Sequence, residues 1–61
     1  MDLTLSNDEA RILDGLLRDY LPGLKREVAA TDSRDFRHLL VQRQELCERI
    51  MEQLRIAITG I

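Results

Sequence analysis

The chain has 61 residues, 44% of them apolar and 33% charged, with a formal net charge of −2. That length holds one domain, and the apolar share excludes an intrinsically disordered chain, which would pair low hydrophobicity with high net charge. The longest apolar runs are three residues, far short of the ~20 that span a bilayer.

Met1-Asp2-Leu3 carries no basic segment ahead of an apolar core, so the expectation is a soluble, cytoplasmic chain with no membrane partner. Cys47 is the only cysteine, which rules out an intrachain disulfide and suits a reducing compartment. Residues 1–32 hold four basic and seven acidic side chains, and residues 33–61 hold five and four. Neither half is the concentrated basic surface that nonspecific nucleic-acid binding requires.

The first predicted boundary is Ser6-Asn7-Asp8-Glu9, a hydroxyl acceptor three residues ahead of a carboxylate that reaches back, which is the pattern of a capping box. Leu5 before it is placed to pack on Ala10. Beyond the cap, Ile12, Leu13, Leu16, Leu17, Tyr20, Leu21, Leu24 and Val28 recur at steps of three and four, filling an arc of roughly 180° on a helical wheel. Pro22-Gly23 interrupts the run, but the stripe keeps its phase and Pro22 falls opposite it. The reading is therefore one helix over about 7–30, kinked at Pro22 so that it bends around the core.

Thr31-Asp32-Ser33 are residues that favour caps and turns. They predict a joint at 31–32 and a second helix over about 33–57, with Asp32 and Asp35 as a further cap and Thr59-Gly60 as the stop before a frayed or docked Ile61. The second stripe is Phe36, Leu39, Leu40, Leu46, Cys47, Ile50, Met51, Leu54, Ala57 and Ile58, an arc of roughly 140°. So short a joint makes the helices antiparallel, with Leu24 level with Leu39 and Tyr20 level with Arg43.

The predicted fold is thus all-α, a single helical-hairpin domain over residues 1–61. Both stripes are wider than the two positions in seven that one neighbouring helix covers. A chain this small also buries only about 60% of its unfolded surface, which is marginal for a lone copy. A symmetric homodimer forming a four-helix bundle satisfies both constraints, as does an unidentified protein partner with an equivalent apolar face.

Few residues invite chemistry. Arg43 lies within the apolar arc and needs a partner, for which Tyr20 or the carboxylates of Asp19 and Glu45 are in reach. Glu27 lies within the first arc and is expected to pair with Arg34 or Arg37. Asp35 and His38 have a spacing that metals use, but a metal site in a bundle needs several more inward carboxylates and histidines than the chain supplies. Cys47 centres the second stripe as a small hydrophobe, some 13 Å along the axis from His38. Ser6, Thr31 and Ser33 read as caps, and Gly15, Gly23 and Gly60 are isolated rather than part of a phosphate loop.

No catalytic residue, cofactor or metal is therefore assigned. Tyr20, Glu27, Phe36, Leu40, Arg43, Cys47, Ile50 and Leu54 are the candidate interface or polar-core residues. Arg34, Arg37 and Arg49 are the alternative nucleic-acid contacts, disfavoured by the interleaved Glu45, Glu48 and Glu52.

The run from Leu24 to Arg37, with the Thr31-Asp32-Ser33 joint followed by Phe36 and Arg37, and with Leu40, Arg43 and Leu46 after it, resembles a set of uncharacterised small bacterial helical-hairpin proteins. The resemblance implies a bacterial cytoplasmic hairpin, and no activity, substrate or site follows from it. Pro22-Gly23 departs from the uninterrupted first helix of that set. The expected function is a noncatalytic, self-associating module for protein–protein interaction or assembly. A small nucleic-acid-associated regulator is the alternative.

Overall fold

Ser6 opens the first helix by satisfying amides that no helical carbonyl can reach. Its hydroxyl oxygen accepts from the Glu9 amide at 3.1 Å and the Glu9 carboxylate accepts from the Ser6 amide at 3.0 Å. The Ser6 carbonyl takes the first helical bond, from Ala10, at 2.9 Å. In the computed structural model, which describes residues 3–59 and leaves aside the side chain of Thr59, helix α1 then runs over Asn7–Ala30 without a break.

Pro22 lies inside that continuous helix. It is exposed, so the carbonyl that loses its hydrogen bond, that of Arg18, is left on the solvent side where water can reach it. The helix ends without a glycine. Thr31 adopts an extended backbone (φ −84°, ψ 123°) and its hydroxyl donates to the Glu27 carbonyl at 2.6 Å, closing one of the last free acceptors.

The joint is Thr31–Ser33, and helix α2 covers Arg34–Thr59. It opens at Arg34 rather than Ser33 because Ser33, not Asp32, is the cap. The Ser33 carbonyl accepts from the Arg37 amide at 2.9 Å, and its hydroxyl accepts from the Phe36 amide at 3.4 Å. Helix α2 continues past Ala57 to Thr59. Gly60 and Ile61, the rest of the predicted stop, lie outside the described residues.

The two helices pack against each other as an antiparallel hairpin: Ala10 and Leu13, early in α1, share one concavity with Leu54 and Ala57, late in α2. The seam follows a strict rhythm. On α1, Ala10, Asp14, Leu17, Leu21, Leu24 and Val28, with the cap Thr31, are buried or half-buried, and on α2 Leu40, Gln44, Cys47, Met51, Leu54 and Ile58 are. Steps of four and three alternate on both, the spacing by which helices interlock side chains along a narrow line. The register differs from expectation in one respect. Leu40, at 1% exposure, enters the core and Leu39, at 52%, does not.

The result is one layer of two helices, 41 × 23 × 16 Å, with a radius of gyration of 13.5 Å against about 10.5 Å for a compact chain of this length.

Two substitutions test this account. Gly15 sits in α1 with open space where a side chain would project, so Gly15→Ala should raise unfolding free energy by roughly 0.5–1 kcal/mol in a denaturant titration. Ser6→Ala should lower it by about 1 kcal/mol. The Ser6 backbone and then its hydroxyl hold the Glu9 carboxyl below its ordinary value of 4.5. A lowered folded value makes Glu9 stabilising above pH 4.5 and removes that contribution as pH falls through the folded value. Stability measured between pH 7 and pH 3 should fall less steeply for Glu9→Gln than for the native chain.

Candidate functional site

A second row of side chains lies beside the seam on each helix. On α2 it is Phe36, Leu39, Arg43, Leu46, Ile50, Gln53 and Ala57, which repeats the three-four rhythm rotated about 90° from the core row. On α1 it is Leu13, Leu16, Tyr20, Gly23 and Glu27, with Ile12 at its edge, rotated by about 90° in the same sense. In an antiparallel pair of right-handed helices, equal rotations bring both rows to one side of the hairpin.

The surface geometry agrees. Leu13 from α1 and Leu46, Ile50 and Ala57 from α2 line a single open concavity of about 700 Å³, closed at one end by Leu3 and Leu5. This side is largely uncovered: Leu16 is 62% and Leu46 45% exposed, and Ile12, Tyr20, Phe36 and Leu39 are exposed with them. Ile56 is exposed on the outer surface of α2, away from this side.

The opposite side is polar. Arg18 holds the Asp14 carboxylate one turn before it, and Arg11 lies 3.9 Å from Asp8. Asp14 has a side chain only 13% exposed, and its Oδ1 is buried with no hydrogen-bond partner. Its seam position is a feature that sequence reading missed. The signal was present in the step of four from Ala10 and of three to Leu17.

The candidate residues separate into two groups. Leu40, Cys47 and Leu54 are buried and belong to the hairpin's own core, while Tyr20, Phe36 and Arg43 are exposed and Ile50 is half-buried on the open side. Glu27 is exposed, and the ion pair expected with Arg34 or Arg37 does not form. Among the described residues the ion pairs are Arg11–Asp8 and Arg18–Asp14, and neither Glu27, Arg43, Glu45 nor Arg49 takes part. Glu27, Arg34 and Arg37 are all exposed to water at that height, where a pair gains little.

Arg34 and Arg37 share a shallow depression with Asp35 and His38, whereas Arg49 lines the concavity on the open side. The fold does not gather these three arginines. His38 meets Gln42 at 3.4 Å, and among the described residues no three His, Cys, Asp or Glu side chains come together as a metal site. No described helix is long and apolar enough to cross a membrane. The chain matches no family model, no curated protein and no solved structure.

Cys47 is buried in the seam. A thiol reagent should therefore label it many-fold more slowly in the native protein than in denaturant, and equal rates in the two states would place it outside the core.

Proposed function

We propose that this protein is a noncatalytic, self-associating helical-hairpin module that acts in protein–protein interaction or assembly, with two copies closing their open sides into a four-helix bundle. The observation that carries the reading is the continuous apolar side formed by Ile12, Leu13, Leu16 and Tyr20 with Phe36, Leu39, Leu46 and Ile50. Patches of this kind on a small protein mark an interaction surface.

The surface balance supports it. A folded monomer of 7.1 kDa exposes about 4,100 Å², whereas this chain exposes 5125 Å². The excess is close to the ~800 Å² that each partner buries in a stable protein–protein interface. The 16 Å thickness is that of a single helix layer, and a second layer would bring the cross-section near the square of a four-helix bundle. Pro22 fits the same arrangement, because a bend away from its ring on the polar side would make α1 concave toward the core.

Further support for a noncatalytic role comes from the hydroxyls of Ser6, Thr31 and Ser33, each engaged at a helix end, and from Cys47 standing roughly 13 Å along the helix axis from His38. The bacterial cytoplasm is the setting we propose, from the Thr31-Asp32-Ser33 joint and the unpaired thiol.

Sedimentation equilibrium tests the reading. At micromolar concentration the native chain should have twice the mass of 7.1 kDa, with a melting temperature that rises with concentration. Leu16→Glu with Leu46→Glu should abolish that dimer, while Lys25→Glu on the polar side should leave it intact. A native chain that stays monomeric and melts cooperatively when dilute would overturn the proposal.

A further inference from the structure

Arg43 stands in the middle of the open side. Phe36 and Leu39 precede it in the α2 row, Leu46 and Ile50 follow, and of the five only Arg43 is charged. It is exposed, and it takes part in neither of the ion pairs found among the described residues. On a helical wheel it is turned about 60° from the seam toward the open side, into the angle between the two helices. A second copy laid on this side therefore covers the guanidinium together with its apolar neighbours.

Face-to-face pairing has two symmetric forms, and both bring the two copies' Arg43 side chains near each other. With the two-fold axis along the helices, α2 of each copy lies diagonally across the bundle from α2 of the other, and the two arginines point toward the bundle axis from the same height. With the axis across the helices, α2 lies on α2. Arg43 stands three to four residues from the middle of that helix, which falls between Leu46 and Cys47, so at complete overlap the two arginines are offset by about 10 Å along the axis. That is about one screening length at physiological salt, and covered charges are screened less than exposed ones.

No carboxylate stands at the height of Arg43 in either form. The open-side acids are Glu9, Glu27 and Asp35, and from either copy each lies about 9 Å or more from that height, beyond a helical turn. Glu27 and Asp35 are also at the joint end of the row, in water. Asp19 falls on the outer edge of α1 and Glu45 on the polar flank of α2. Covering a guanidinium that no carboxylate meets is costly, and a second guanidinium in the same core adds repulsion. We infer that Arg43 limits the strength of self-association, so that the apolar face pairs reversibly. This rests on the self-association proposed above, and it holds for either symmetric form.

Charge exchange at this position tests it. The native chain and an isotopically labelled Arg43→Glu chain are mixed, and the dimers are counted by native mass spectrometry. Arg43→Gln, which removes the charge without adding apolar surface, is compared with the native chain by sedimentation. Arg43 is exposed in the hairpin, so neither substitution disturbs the fold. The expected result is a share of mixed dimers above the half that random pairing gives, an excess that shrinks as salt is raised, and an Arg43→Gln dimer at least several-fold tighter than the native one. Random pairing in the mixture, or an Arg43→Gln dimer no tighter than the native one, would overturn the inference and leave self-association standing. Monomers of 7.1 kDa from the native chain, both variants and the mixture alike would overturn both.

Discussion

Two helices laid side by side can bury only the line along which they touch, and everything else in this protein follows from that limit. The seam takes one residue every three or four: Ala10, Leu17, Leu21, Leu24 and Val28 against Leu40, Cys47, Met51, Leu54 and Ile58. Among the described residues only Leu24 and Leu40 lie fully out of solvent. Ala10 and Cys47 are small, which lets the helices approach closely where they stand but adds little buried surface. The inner seam fixes the hairpin's register, and the second row of apolar side chains, which the hairpin cannot cover, is where further stabilisation is to be gained.

The polar side follows the converse logic. Residues that would weaken an interface are gathered there: Pro22 with its missing donor, Gly15 with no side chain, and the charged residues Arg11, Asp14, Arg18 and Lys25. Asp14 marks the boundary. It stands at a seam position, and its carboxylate is turned out to Arg18 so that one oxygen is bonded while the other is enclosed. A leucine there would widen the core by one residue toward the polar flank. The aspartate keeps the apolar surface on one side only, as the single interaction face proposed above requires.

The helices and the first cap were legible in the sequence because their causes are local. Ser6 and Glu9 satisfy each other across three residues, and the three-four recurrence of leucines needs no tertiary information. Other features depended on quantities a wheel does not hold. Choosing between Leu39 and Leu40 for the core turns on a rotation set by the whole seam, and both lie within the same arc. Asp32 and Ser33 are each competent caps, and the choice between them rests on which backbone leaves the joint extended. Height along the hairpin is all that pairs Glu27 with Arg34 or Arg37 in the sequence. Height places residues level without bringing them within reach, and at the exposed joint no burial compels them to meet. The two-sidedness of the open face was latent in the stripe widths, but it needed the antiparallel pairing to show that both surpluses fall on the same side.

Arg43 is the residue through which stability and specificity trade against each other. The hairpin leaves it in water with no partner to satisfy, and so it costs the isolated chain nothing. Covering the row Phe36, Leu39, Leu46 and Ile50 changes that, because the guanidinium between Leu39 and Leu46 must then keep a hydration path or be given a ring face or a carboxylate. An aliphatic residue would make the row stickier and indifferent to orientation. A charge in the same place weakens every pairing but penalises most those that bring two arginines together, as a lone polar residue in an apolar seam does when it sets register. In the proposed bundle the residue least suited to an apolar face is therefore the one whose surroundings change most when that face is covered.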